Sequence, residues 1–158
     1  MIELLQVETS HGPARARLER PAGTARGLLA MSHGAGGGID AADLVAVAGR
    51  AVDRGFVVAL VEQPYRVAGR RAPAPAKQLD TCWREVIAVL RKELGDDVPL
   101  VVGGRSMGAR VACRTAGDVG ADAVLCLAFP LQPRPRKGRV VPDRLHELDA
   151  VEVPVLVV

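Results

Sequence analysis

What is scarce in this chain narrows its function first. Among 158 residues there are one tryptophan, one tyrosine and two phenylalanines, and none interleaves the two basic clusters, RVAGRR at 66–71 and RPRKGR at 134–139. Without aromatic faces for bases to stack on, the clusters read as solvent-facing loops, with contact to an anionic ligand as the alternative, rather than as a nucleic-acid footprint. Neither sign of charge dominates: 21 basic and 18 acidic residues leave +3, spread mostly singly between apolar positions. Cys82, Cys113 and Cys126 form no CxxC pair and fall in apolar segments, which argues against a disulfide framework and for a reduced, cytoplasmic setting. Three scattered histidines without an HxxxH or Cys/His cluster argue against a metal site. No apolar run approaches the ~20 residues of a membrane span, and the start MIELLQVETSHGPARARL lacks the regions of a signal peptide. No cofactor, metal, nucleic acid or membrane partner is expected.

What remains is an ordinary globular composition, 49% hydrophobic and 25% charged, of a length suited to one domain over residues 1–158. IELLQVE and ARARLER, separated by SHGP, read as an antiparallel edge hairpin. Beyond residue 27, short apolar runs alternate with helical periodicity. GLLAMSHG (27–34), FVVALVE (56–62), VPLVVGG (98–104), AVLCLAF (123–129) and VPVLVV (153–158) are predicted strands. Leu44, Val47, Ala48, Ala51 and Val52 mark one helix, and Leu79, Trp83, Val86, Ile87, Leu90 and Leu94 the apolar face of another; shorter helices are expected near 107–116 and before Asp149. Segments 63–75 and 130–142, rich in proline and glycine, are predicted loops. The pattern implies a doubly wound, mostly parallel α/β sheet with an antiparallel N-terminal hairpin, in which ligands bind at the carboxyl ends of the strands.

Two of those ends carry unusual residues. Gly104-Arg105-Ser106-Met107-Gly108 fits G-x-S-x-G, and it follows a strand and opens a helix, the context in which a serine is lifted onto a strained turn with its hydroxyl exposed. The bland alternative makes Ser106 a helix N-cap. Upstream, Ser32-His33-Gly34-Ala35-Gly36-Gly37-Gly38 also joins a strand to a helix, like the HGGG-type loops of α/β-hydrolases. On that reading the backbone N–H groups of Ala35 and Met107 would hold a tetrahedral oxyanion, with Gly34, Gly104 and Gly108 permitting the close packing. A phosphate-cradling reading is weaker, because the loop lacks G-K-[ST] and does not fit G-x-G-x-x-G. His33 is expected to brace its loop through the backbone rather than act as a base, and Arg105 to make a packing or salt-bridge contact.

SHGAGGG, VVALVEQPYR, GGRSMGAR and CLAFPLQP, in this order, resemble the α/β-hydrolase superfamily, most of all its small dienelactone-hydrolase-like branch, whose members include a testis-expressed protein and a histone acetyltransferase complex subunit. The resemblance implies a serine hydrolase of esters or related acyl bonds, with Ser106 as nucleophile, Ala35 and Met107 as oxyanion donors and a small-molecule acyl substrate. The alternative is a catalytically inactive interaction module of the same fold. In the superfamily the triad runs serine, acid, histidine, so acid and histidine are expected beyond Val158, past a missing helix-strand-helix passage. A chain read as truncated in this way is expected to show little esterase activity by itself and to aggregate, or to cover the incomplete sheet by homodimerising.

Overall fold

The computed structural model describes residues 1–158, and its chain alternates strands and helices from residue 27 onward. The hairpin of β1 (Ile2–Thr9) and β2 (Gly12–Glu19) comes first, then β3 (Gly27–Ser32), α1 (Ala42–Asp53), β4 (Phe56–Glu62), α2 (Pro64–Val67) and α3 (Ala76–Leu94). After these follow β5 (Leu100–Arg105), α4 (Met107–Thr115), β6 (Ala123–Leu127), α5 (Leu145–Asp149) and β7 (Val155–Val157). All seven strands form one sheet in the order β1-β2-β4-β3-β5-β6-β7. The hairpin and its junction with β4 are antiparallel, and every later pairing is parallel. No helix is long and apolar enough to cross a membrane.

The central strands are apolar on both faces because helices cover both. Every residue of β3 is buried, and its side chains divide by the two-residue period of a strand. Leu28 and Ala30 join the larger core, to which α3 contributes Leu79, Trp83, Val86, Ile87 and Leu90 and α4 contributes Ala109, Val111 and Ala112. Leu29 and Met31 face the other way, against Leu44 and Ala48 of α1. The doubly wound architecture therefore follows from two facts of sequence: runs that do not alternate, and amphipathic helices between them.

Three boundaries differ from the sequence reading. The predicted loop 63–75 begins with the single turn of α2, started by Pro64 at its first position, where the missing N–H costs nothing. Strand β6 stops at Leu127, and Ala128 has φ 48°. β7 takes up only Val155–Val157 of VPVLVV and pairs with β6 alone, so Leu156 and Val157 are exposed rather than buried on two faces.

The strand order sets the position of the site. From β3 the chain passes to β4 on one side and then to β5 on the other, so the reversal point lies between β3 and β5. Loops leaving the carboxyl ends of two such strands diverge to opposite faces and open a crevice. Ser32 and Gly104 are paired in register, which puts residues 33–35 and 105–107 side by side at its mouth.

Candidate active site

At the end of β5 the backbone turns through Ser106, whose φ of 52° and ψ of −107° lie in a region that non-glycine residues rarely enter. Ser106 occupies the N-cap position of α4, yet its side chain makes no capping hydrogen bond. The N-cap explanation therefore fails on its own criterion, since a capping serine earns its place by accepting a backbone N–H. Holding the turn instead is a bond from the Ser106 N–H to the Leu127 carbonyl at 2.9 Å.

Close approach of α4 to β3 forces the glycines around it. A Cβ on Gly104 would sit 2.6 Å from both the Ser32 carbonyl oxygen and the Gly108 carbonyl carbon, and one on Gly108 would sit 2.5 Å from that same Ser32 oxygen. The Gly108 N–H donates to the His33 carbonyl at 3.1 Å, tying the first turn of α4 to the upstream loop. Gly36, Gly37 and Gly38 differ: none has a positive φ or a neighbour within 4 Å of a notional Cβ. Gly34, expected to permit close packing, is under no such demand either: a Cβ there would stand 3.6 Å from that of Ser106, an ordinary van der Waals contact.

His33 is fully buried and both its ring nitrogens are committed. Nδ1 lies 2.8 Å from the Gly34 carbonyl, while Nε2 accepts the Gln63 N–H at 3.1 Å. These partners fix the neutral tautomer with the proton on Nδ1. Burial lowers the pKa further, against the opposing bond to Gly34. A ring with no free nitrogen brings no proton to Ser106.

Tyr65, the only tyrosine in the chain, lies in the stretch PYRVAGRRAPAP that the family resemblance implies borders the pocket, but its own role was not legible in the sequence. Its hydroxyl donates to the Ala35 carbonyl at 2.8 Å and lies 3.7 Å from the Met107 sulfur, spanning the two segments that flank Ser106. Burial pushes its pKa up to about 12, so it remains a donor throughout the neutral range. Tyr65→Phe is expected to cost about 1 kcal/mol in urea unfolding and to slow modification of Ser106 several-fold as Ala35 loses its anchor.

A cleft of about 970 Å³ brings Ala35, Ser106 and Met107 together. Neither Ala35 nor Met107 donates its N–H to any backbone bond outside the regular elements or to a side chain, and the first N–H groups of a helix have no partner within it. No histidine and no carboxylate lines this cleft. His11 and His146 are exposed, and no group of His, Cys, Asp and Glu side chains is placed to hold a metal. Arg105 ion-pairs with Asp43 at 2.9 Å on a partly exposed surface, worth about 0.5 kcal/mol.

Beneath the cleft lies a charged network. Arg110 donates to both oxygens of Glu147, at 2.7 and 3.0 Å, and Arg114 to both oxygens of Asp80. The remaining Arg114 nitrogen, Nη1, stands 3.6 Å from Glu147. Burial alone would raise the pKa of Glu147, but the hydrogen bonds from Arg110 and the charges of Arg110 and Arg114 outweigh it and hold the carboxyl below its ordinary 4.5. Glu147→Gln is expected to cost about 2–3 kcal/mol at pH 7, between the values for exposed and buried pairs, because both arginines keep some solvent. A depressed native pKa stabilises above the unfolded value and loses that contribution as pH falls through the native one. Urea curves of the two proteins should therefore stay separated above pH 4.5 and converge below it.

The family described as an alpha/beta hydrolase domain matches residues 25–158. Among solved structures, an α/β serine hydrolase without lid from Xanthomonas campestris superposes with a TM-score of 0.71 at 16% identity, covering 99% of this chain and 83% of that one. Dienelactone hydrolase from Anabaena variabilis gives 0.74 at 16% identity, over 99% and 72%. A thermostable carboxyl esterase from Bacillus coagulans gives 0.66 at 17% identity, over 80% of this chain and 44% of its own length. No curated protein matches the sequence.

Proposed function

The chain belongs to the alpha/beta hydrolase domain family, and from that premise we propose that it is a serine hydrolase of esters or related acyl bonds, with Ser106 as the nucleophile. The observation that carries this is the strained backbone of a serine whose side chain caps nothing. A protein keeps such strain where the surroundings over-determine it and the exposed group is used.

In the proposed reaction the Ser106 hydroxyl attacks the substrate carbonyl, its proton passing to a base, and the carbonyl oxygen becomes an alkoxide. The N–H groups of Ala35 and Met107 are the proposed donors to that oxygen; both residues line the cleft that holds Ser106, and neither N–H is engaged in a bond outside the regular elements. The Met107 donor also stands at the positive end of α4, whose dipole favours the developing charge. Collapse of the intermediate expels the alcohol and leaves an acyl-serine for water to release. With both nitrogens of His33 bound to backbone, the base is not found there.

A fluorophosphonate probe tests the assignment directly. It should modify the protein once, and digestion should place the added mass on the peptide containing Ser106. Mass on another peptide, or none in the longest natural form of the protein, would sink the enzyme reading in favour of an interaction module of the same fold.

A further inference from the structure

Six arginines, Arg110, Arg114, Arg134, Arg136, Arg139 and Arg144, line the cleft that holds Ser106, and no aspartate or glutamate does. Two of them are neutralised from behind: Arg110 by Glu147, Arg114 by Asp80 and Glu147. Arg134, Arg136, Arg139 and Arg144 pair with no carboxylate. An exposed arginine ordinarily finds an acidic neighbour or projects into open solvent. Here the unpaired ones converge on a concavity, where low-dielectric walls concentrate the field.

Their placement is structured. The Arg139 N–H donates to the Arg136 carbonyl at 3.1 Å, and the two residues form an isolated antiparallel bridge closed by Gly138 at φ 73°. Bridged residues of an antiparallel pair project to the same side, and Arg136 and Arg139 both line the cleft. Arg144 is partly buried and pinned by a 2.7 Å bond from its Nη1 to the Pro130 carbonyl. Burial and then the charge of Arg110 lower its pKa, with a smaller contribution from Arg114, against the opposing charge of Glu147.

We propose that this cleft selects an anionic acyl substrate: an ester or thioester bearing a carboxylate or phosphate group, which Arg134, Arg136, Arg139 and Arg144 hold while the reacting carbonyl lies at Ser106. The place of the carbonyl rests on the serine-hydrolase reading; the anion site does not. Guanidinium groups suit both anions because their planar N–H forks bond two oxygens at once. Within the sequence, RPRKGR thus becomes a recognition loop instead of a solvated surface.

Binding is measured first, independently of catalysis, by titrating the protein with glutarate, inorganic phosphate and neutral glutaramide at low and high salt. Glutarate or phosphate should bind where glutaramide does not, and the tighter of the two identifies the group. Raising salt should weaken binding several-fold, and the triple variant R134Q/R136Q/R139Q should weaken it about tenfold. Arg20→Gln, on the remote hairpin, serves as the control and should change nothing. Absence of anion binding, or binding undiminished in the triple variant, overturns the proposal. The second arm compares kcat/KM for the hemiglutarate and butyrate esters of one chromogenic alcohol. A preference for the hemiglutarate that falls about tenfold in the triple variant joins the anion site to the serine. Anion binding without labelling of Ser106 would retain the site and reject the nucleophile; labelling without anion binding would do the reverse.

Discussion

In the longest natural form of the protein, Ser106→Ala is expected to lower ester turnover by on the order of 10⁴-fold or more while leaving the melting temperature within about 2 °C of the parent. The two halves of this expectation have separate causes. Turnover depends on an oxygen that forms the acyl-serine, and alanine has none. Stability depends on what the hydroxyl touches in the folded protein, and it makes no capping bond. Alanine also adopts the same unfavourable φ of 52° at the same cost, so strain is neither added nor relieved. Ser106→Gly separates strain from chemistry: it should be equally inactive yet more stable by about 1 kcal/mol, because glycine enters that region freely. A Ser106→Ala protein that lost about 1 kcal/mol and kept its turnover would behave as one deprived of a helix cap, and the serine would be structural.

Gly108→Val should prevent folding, and Gly108→Ala should cost about 3 kcal/mol or more in urea unfolding. By helix propensity alone the alanine variant ought to be stabilised by about 1 kcal/mol. The opposing term is larger because the new Cβ would stand 2.5 Å from the Ser32 oxygen, 2.7 Å from the Ser32 carbonyl carbon and 3.0 Å from the His33 oxygen. These are backbone atoms of the end of a fully buried central strand and of the loop it feeds, and no rotamer change moves them aside. Gly49, exposed on α1 with nothing near its notional Cβ, provides the contrast. Gly49→Ala should raise stability by about 1 kcal/mol. Equal effects at the two positions would show that α4 does not rest on β3 as described.

How much of this was legible in the sequence depends on the range of the interaction. Leu79, Trp83, Val86, Ile87 and Leu90 recur at the period of a helix and are buried together; Leu94, in the same pattern, reaches the end of α3 and is only partly covered. Strand, glycine turn and helix around Ser106 are contiguous in the chain, so local pattern sufficed to locate them. The sheet order was not legible, because nothing in β3 states that β4 and β5 lie on opposite sides of it. Likewise Asp80 with Arg114, and Arg110 with Glu147, join residues 34 and 37 apart, and a charged residue on a helix announces no partner. Tyr65 was hidden for the same reason: its hydroxyl acts on Ala35, 30 residues away. Gly34 misleads in the other direction: close packing is expected of it from its place beside the elbow, yet a Cβ there would meet only ordinary contacts at 3.6 Å.

The contact of α4 with Ser32 and His33 has a consequence for how the protein can diverge. Because helix and strand meet backbone to backbone, almost no side-chain variation is available there, and selection cannot adjust the angle of Ser106 in small steps without passing through unfolded intermediates. The 134–144 segment is under no such restriction, since Arg134, Arg136 and Arg139 are exposed and unpaired. On the proposed function, new specificities are therefore accessible through this loop, over a serine turn that backbone packing holds fixed.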